Sequence, residues 1–170
     1  MGWRSLTRTV ALLGLMVLVT DAAEAATFPA YQRLVDIGGL RRPTRVGADP
    51  QGNVYINSNL NTAAGKVIQV FSPNGAYISA VSLTSKATAL KAANGLVYAG
   101  ESGRVEVFSG SSLVQTIYGV SSPAALDVAS DGTVYVLDDA PGVSTVKVFN
   151  PSGFQVSTIG SYDVFGNDMY

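Results

Sequence analysis

A short pattern, in which a turn glycine comes just before a tyrosine flanked by apolar residues, occurs three times in this sequence. The glycines are Gly52, Gly95 and Gly132, and the tyrosines are Tyr55, Tyr98 and Tyr135. An alternating segment that ends in phenylalanine follows each copy; these phenylalanines are Phe71, Phe108 and Phe149. A repeat length of about 40 residues, with several short strands in each unit, is typical of the blades of a β-propeller.

Each repeat is long enough for four strands, so the sequence predicts an all-β fold, a partial β-propeller of three four-stranded blades. The blades are expected over residues 43–83, 84–119 and 120–160. The strands are expected at residues 45–48, 53–57, 66–71 and 76–83, then 87–92, 96–100, 104–108 and 112–118, and then 124–129, 133–137, 145–149 and 154–159. β-Branched and aromatic residues dominate these segments, and turn-forming residues separate them.

Two segments flank the predicted blades. Residues 26–42 form an N-terminal segment in which residues 32–37 resemble the outer strand of a preceding blade. Residues 161–170 resemble the linker that leads from one blade to the next.

Residues 1–25 have the features of a secretory signal peptide and are not expected to belong to the fold. Two arginines precede an apolar run at residues 10–19, and Ala23 and Ala25 form a small-residue cleavage site. The run is shorter than the roughly 20 residues that span a bilayer as a helix. We expect cleavage between Ala25 and Ala26, no membrane span in the mature chain, and a secreted or periplasmic location. An uncleaved anchor is the alternative.

The net charge of −1 is unevenly distributed along the sequence. Residues 31–104 carry eight basic and three acidic side chains, whereas residues 105–170 carry one basic and seven acidic side chains. The densest basic group is Arg41, Arg42 and Arg45, which is too small to predict nucleic-acid binding, because such proteins present a broad basic face. Opposite charges would instead favour pairing between two copies of the chain.

The repeats resemble the NHL-repeat family. In that pattern a proline opens an apolar strand, a Gly-x-apolar-Tyr strand follows, and an apolar-x-apolar-Phe strand precedes a glycine turn. The third repeat matches at Pro123, Leu126, Asp127, Val128, Asp131, Gly132, Val134, Tyr135, Val136, Asp138, Val146, Val148, Phe149 and Gly153. The first repeat matches less fully, and the second lacks the opening proline. The resemblance covers residues 43–160 and implies a six-bladed, TolB-like propeller.

Two charged positions of the family pattern vary among the repeats: an aspartate after the tyrosine strand and an arginine before the phenylalanine. They hold Ser58 and Val67 in the first repeat, Glu101 and Arg104 in the second, and Asp138 and Thr145 in the third. The pair in the second repeat is expected to tie a turn within its own blade, and not to form a site. The repeated tyrosines and phenylalanines are expected to pack between blades.

Closed propellers have about 4–8 blades, whereas this sequence holds three. An open arc would expose an apolar blade face at each end, which is an association hazard. Three alternatives follow: the chain is a fragment of a longer reading frame, two copies close head to tail as a homodimer with six blades, or three blades form a stable monomer.

The sequence has no histidine and no cysteine. This composition excludes histidine-dependent catalysis, thiolate metal sites and disulfides. The candidates for an oxygen-ligated metal are Glu101, Asp138 and Asp139, with Asn57 and Asn59. Asp138 and Asp139 would point to opposite faces if both lie in one strand. No catalytic residue, cofactor site or metal site is therefore predicted.

The sequence predicts an exported, non-catalytic binding or scaffold module and not an enzyme. Its ligand, a protein, peptide or glycan, would bind to loops on one face of the propeller. The alternative is a fragment of a propeller enzyme of the lyase or lactonase type, with its catalytic residues in blades outside this sequence.

Overall fold

The computed structural model of this protein describes residues 35–58, 66–162 and 168–169. The first sheet contains β1 (Pro43–Ala48), β2 (Val54–Ser58), β3 (Val67–Phe71) and β4 (Tyr77–Ser82). The second sheet contains β5 (Ala89–Ala93), β6 (Leu96–Glu101), β7 (Arg104–Ser109) and β8 (Ser112–Tyr118). The third sheet contains β9 (Pro123–Val128), β10 (Val134–Ala140), β11 (Val143–Phe149) and β12 (Gln155–Ile159). A two-stranded sheet joins β13 (Ser161–Tyr162) and β14 (Asp168–Met169).

Each four-stranded sheet is an antiparallel meander in which consecutive strands are hydrogen-bonded neighbours. β1, β5 and β9 are the innermost strands, because they are the strands through which adjacent sheets come closest. Each predicted strand of the three blades overlaps an observed one. The predicted all-β fold of three propeller-like blades is therefore confirmed.

Several predictions fall on residues outside the described ranges. These are the signal peptide at residues 1–25, its cleavage site, and residues 32–34 of the predicted N-terminal strand. Residues 35–37 are described and do not belong to a strand. Within the described part of the chain, no helix is long and apolar enough to cross a bilayer.

Val35 nevertheless occupies a blade-like position beside the first sheet. A Cβ atom on Gly75, in the turn between β3 and β4, would lie 2.8 Å from Val35 Cγ2. The corresponding turn glycine of the third sheet, Gly153, faces β8: a Cβ atom there would lie 2.8 Å from Gln115 Nε2 and 3.3 Å from Ile117 Cγ1. Val35 therefore occupies the position beside the first sheet that the outer strand β8 occupies beside the third sheet.

The turn between β1 and β2 shows how local sequence sets the hairpins. Asp49 accepts hydrogen bonds from the backbone N–H groups of Gln51 and Asn53, at 3.0 and 2.8 Å. Gly52 then adopts a φ of 82°, a left-handed conformation that glycine tolerates best. The tyrosine that follows, Tyr55, donates its hydroxyl to Asp49 Oδ2 at 3.1 Å. A single aspartate thus fixes both the turn and the strand that leaves it.

The core consists of two apolar layers, one between each pair of neighbouring sheets. The layer between the first and second sheets is centred on Ile68, Val70, Val81, Val97, Ala99 and Phe108. The layer between the second and third sheets contains Tyr98, Val105, Val107, Ile117, Val134, Val136 and Phe149. The two layers use opposite faces of the second sheet, so that sheet is covered on both sides.

The expected packing between blades is confirmed for Phe108 and Phe149. Phe71 is also buried, but it belongs to neither layer and contacts Tyr77 of its own sheet. The expectation is wrong for one tyrosine. Tyr98 is 4% exposed, because it faces the third sheet, whereas Tyr135 is 38% exposed. Tyr135 occupies the same register position but faces away from the second sheet, and among the described residues no further sheet covers it.

Small residues and polar contacts join the innermost strands. A Cβ atom on Gly100 would lie 3.0 Å from the Cβ atoms of both Ala89 and Pro123. Thr88 donates its hydroxyl to the carbonyl of Pro123, at 2.5 Å. Lys91 on β5 and Asp127 on β9 form an ion pair of 2.6 Å. The missing side chain at Gly100 of β6 therefore leaves room for the start of β9 to approach the second sheet, and the polar contacts join β5 to β9.

Candidate functional site

The ends of the three sheets where β2, β6 and β10 finish form one face of the molecule, here called the linker face. In each four-stranded meander the second and fourth strands run in the same direction and end at the same end of the sheet. The linkers at residues 83–88 and 119–122, which leave the fourth strand and enter the next sheet, therefore lie at this face. Ser58, Glu101 and Asp138 occupy matching positions there, near the ends of β2, β6 and β10.

Asp138 anchors the linker that leads into the third sheet. Its Oδ1 atom accepts the backbone N–H groups of Ser121 and Ser122, at 2.9 and 2.6 Å. Its Oδ2 atom lies 2.7 Å from Lys147 Nζ, which also donates to the carbonyl of Gly119 at 2.5 Å. Burial would raise the pKa of Asp138, but the bonds from Lys147 and the two serines outweigh it and lower the pKa.

Glu101 holds the linker that leads into the second sheet. Its Oε2 atom accepts the backbone N–H of Ser85 at 2.8 Å and the Ser85 hydroxyl at 2.7 Å. Arg104 Nη2 lies 2.8 Å from the same oxygen, and Arg104 Nε lies 2.9 Å from Oε1 of Glu106. The Thr84 hydroxyl donates to that Glu106 oxygen at 2.7 Å. One arginine therefore joins two carboxylates, and each carboxylate bonds to the linker.

The two carboxyl groups titrate in opposite directions. Burial has the largest effect on Glu101 and raises its pKa. The hydrogen bonds from Ser85 lower the pKa, but the nearby charge of Glu106 raises it again, so the net shift is upward. Burial also disfavours the charge of Glu106, but hydrogen bonds from Thr84, Glu101 and Arg104 outweigh it and lower the pKa of Glu106. The cluster therefore holds one carboxyl group that ionises easily and one that resists ionisation.

These contacts correct the expectation for Glu101 and Arg104. The pair does not tie only a turn within its own blade, because Glu101 is fully buried and bonds to the linker from the preceding blade. Sequence reasoning also missed Ser85, Ser121 and Ser122 as the partners of these carboxylates. Their position just before each inner strand was the available signal, since exposed N–H groups in such turns need an acceptor.

The first sheet has an open cavity at the matching position. It measures about 250 Å³ and is lined by Gly39, Arg41, Ser58, Val67 and Gln69. Ser58 is 6% exposed, Gln69 is half-buried and Arg41 is exposed. Among the residues that the structure describes, no acidic side chain lines this cavity. Over the described residues, the linker face thus has filled carboxylate centres at the second and third sheets and a cavity at the first.

A second cavity, of about 300 Å³, lies at the opposite ends of the second and third sheets. Tyr98, Gln115, Asp131 and Pro151 contribute to its lining. Beside it, Asn94 donates its side-chain amide to the carbonyl of Ala129 at 3.0 Å, which links the two sheets. Asp131 caps its own turn by accepting the Thr133 N–H at 2.9 Å.

The structure separates the residues that were considered as metal ligands. Glu101 and Asp138 belong to different sheets, and each bonds to its own linker. Asp139 points to the opposite face from Asp138, as expected, and accepts the Ser144 hydroxyl at 2.5 Å. Asn57 donates to the carbonyl of Val67 at 2.8 Å, and Asn59 lies outside the described residues. Over the described ranges, no three acidic residues group in a way that could hold a metal.

Comparison with known proteins gives a likeness of fold. No protein family and no curated protein matches this sequence. Solved structures do match, and one is the crystal structure of a protein of unknown function from Bacteroides caccae, with a TM-score of 0.50 and 11% sequence identity. The match covers 74% of this chain and 51% of that one, so this chain corresponds to about half of the neighbour's length. At this identity the likeness concerns the fold alone.

Proposed function

We propose that this protein is an exported, non-catalytic propeller module of the NHL-repeat type, which binds a protein, peptide or glycan through its linker face. The observation that carries the proposal is the contrast on that face. The buried carboxylates of the second and third sheets bond internally, whereas the first sheet offers an open cavity with Arg41 and Gln69 in its lining.

The NHL assignment is supported by where the family pattern lies in the third sheet. Pro123 is the first residue of the inner strand, and Tyr135 lies on the second strand. Phe149 ends the third strand, and Gly153, with a φ of 81°, lies in the turn before the fourth. The pattern therefore coincides with the strand boundaries and not only with the repeat length.

A binding role without catalysis is supported by the burial of the carboxyl groups at this face. Glu101, Glu106 and Asp138 are 0%, 3% and 2% exposed, and each contacts a cation and the linker. A general acid or base must reach its substrate, directly or through one water molecule. These three groups are instead positioned to hold the blades together.

Self-association belongs to the same proposal. The outward face of the third sheet exposes Tyr135 and Leu137, each at 38%, and the outward face of the first sheet exposes Val46 at 68%. Inside the molecule, faces of these two kinds pack against each other between successive sheets. Two copies could therefore form a six-bladed homodimer by repeating that packing at two seams.

Export rests on the pattern of residues 1–25 and has a direct test. Expression in a secreting bacterial host should yield protein whose intact mass begins at Ala26. Material that still begins at Met1 would contradict cleavage.

Binding through the linker face can be tested with a phage-displayed library of random peptides panned against the full chain. Gln69→Glu changes the cavity, whereas Gln51→Glu makes the same change in an exposed turn at the opposite end of the first sheet. We expect enriched peptides that lose binding to the Gln69 variant and keep it for the Gln51 variant. No enrichment, or equal loss for both variants, would overturn the proposal.

A further inference from the structure

The strand residues that line the cavity of the first sheet match, in register, those of the Asp138 centre in the third sheet. Ser58 pairs with Pro43 across β1 and β2, as Asp138 pairs with Pro123 across β9 and β10. Gln69 pairs with Ile56 in the register in which Lys147 pairs with Val136. In this register Ser58, Val67 and Gln69 correspond to Asp138, Thr145 and Lys147. The two other lining residues, Gly39 and Arg41, precede Pro43 by as many residues as Gly119 and Ser121 precede Pro123.

In the third sheet, the counterparts other than Thr145 form or surround a carboxylate. Asp138 supplies it, the Ser121 N–H and Lys147 Nζ contact it, and the Gly119 carbonyl accepts from the same lysine. The second sheet repeats the theme, with Glu101 at the matching position and Ser85 as the donor. In the first sheet the carboxylate is replaced by Ser58, whose side chain is shorter and uncharged.

The replacement leaves both space and unused donors. The cavity of about 250 Å³ is roughly eight times the ~30 Å³ that one water molecule occupies in the liquid. Among the described residues, the Arg41 guanidinium has no hydrogen-bond or ion-pair partner, and neither does the Gln69 side chain. Arginine binds carboxylates through two parallel N–H groups, and the Ser58 hydroxyl and Gln69 amide are further donors.

We propose that the first-sheet cavity binds a carboxylate group of an external ligand, in the place that Asp138 fills in the third sheet. The proposal rests on the proposed binding function and names the group that the linker face recognises. Arg41 pairs with the carboxylate, and Ser58 and Gln69 donate hydrogen bonds to it. The carboxylate belongs to a peptide, either at its C-terminus or on an aspartate or glutamate side chain.

The first experiment is a titration of the ¹⁵N-labelled full-length protein, followed by NMR, with glutarate as the probe and its uncharged diamide as the control. We expect saturable shifts centred on Arg41, Ser58 and Gln69 for glutarate alone. Inorganic phosphate serves as a second anion. Equal affinity for phosphate and glutarate, or no saturable shift with glutarate, would overturn a carboxylate site.

Two neighbouring arginine variants locate the site. Arg41→Gln should weaken glutarate binding by about tenfold or more, since a charge-assisted hydrogen bond is lost. Arg42→Gln removes the same charge from the next residue, which does not line the cavity, and should change the affinity by less than about twofold. Similar losses in both variants would indicate only a general attraction between charges and would overturn the proposal.

Ser58→Asp is the sharpest test, because it gives the first sheet the carboxylate that the third sheet has. We expect this variant to remain folded, with an unchanged or higher melting temperature, and to lose glutarate binding. Unaltered glutarate binding in a folded Ser58→Asp protein would overturn the proposal. If the variant fails to fold, Ser58→Asn, which fills the same space without charge, takes its place and should also abolish binding.

Peptides separate this inference from the proposed function. Each peptide enriched by panning is synthesised in three forms: with a free C-terminus, with an amidated C-terminus, and with its acidic side chains changed to amides. Binding that disappears with one of these changes identifies the source of the carboxylate. Peptides that bind the linker face regardless of both changes support the proposed function and overturn the carboxylate site. Glutarate binding without any peptide binding supports a carboxylate site, but overturns its assignment to a peptide together with the proposed function.

Discussion

Asp138 and Lys147 lie 2.7 Å apart on neighbouring strands of the third sheet, and both side chains also bond to the linker that enters that sheet. The aspartate is 2% exposed, so the pair is largely shielded from solvent. The contact therefore joins two blades as well as two strands, and its loss should affect the stability of the whole array.

Asp138→Asn should destabilise the protein by about 2 kcal/mol at pH 7, since hydrogen bonds to a charged group are lost. Asp139→Asn, on the exposed side of the same strand, should change stability by less than about 0.5 kcal/mol. Chemical denaturation of both variants measures the difference. Equal effects would mean that Asp138 does not anchor the linker.

The stabilisation by Asp138 should also depend on pH. Its pKa is lowered in the folded protein, so the unfolded chain takes up the proton first as the pH falls. The stabilisation is therefore complete above the unfolded value of about 3.9 and is lost as the pH falls through the lower folded value. The gap in stability between wild type and Asp138→Asn should narrow below about pH 4, and a constant gap would contradict this account.

Glu101 should show the opposite dependence. Its pKa is raised by burial, so the folded state keeps this proton more firmly than the unfolded chain. Its contribution to stability is present below the unfolded value of about 4.3 and declines as the pH rises through the folded value. Glu101→Gln should gain stability relative to wild type as the pH rises from 4 towards neutrality. Denaturation curves at several pH values test the sign.

The repeated tyrosines allow a comparison at one register position. Tyr98→Ala should destabilise by about 3–5 kcal/mol, because Tyr98 is buried between two sheets, and Phe108→Ala should cost a similar amount. Tyr135→Ala removes the same side chain from an exposed face and should cost less than about 1 kcal/mol in the monomer. Denaturation at low protein concentration measures all three, and a small loss for Tyr98 would contradict the packing between blades.

If two copies close a ring, association should weaken with salt. The oppositely charged parts of the chain attract across the seams, and salt shortens the screening length from about 8 Å at physiological strength to about 3 Å at 1 M. Sedimentation should therefore show a dimer that dissociates at high salt. Tyr135→Glu should abolish the dimer, whereas Tyr118→Glu, on an outer strand, should not. A folded monomer at tens of micromolar, unaffected by salt, would contradict self-association.

The sequence was sufficient to predict the twelve strands, because each blade repeats the same local rules for turns and alternation. It was also sufficient to predict the buried phenylalanines. It did not predict that Tyr98 and Tyr135 differ, because burial depends on the presence of a following sheet and not on the repeat itself.

The cavity could not be predicted from the pattern alone. Ser58 was recognised as a departure from the family's aspartate, but a substitution in one repeat does not reveal whether its neighbours fill the space. The position of Arg41 beside the cavity depends on the path of residues 39–42, which include a φ of 47° at Arg42. The carboxylate centres of the other two sheets supplied the comparison that local sequence lacked.

The close approach at Gly100 has a consequence for how the second and third sheets are coupled. A Cβ atom at this point of β6 would lie 3.0 Å from Ala89 on the neighbouring strand β5 and 3.0 Å from Pro123 at the start of β9. A larger side chain would therefore push against its own sheet and the next one at the same time. The pairing of β5 with β6 and the approach of the third sheet thus depend on the same missing side chain.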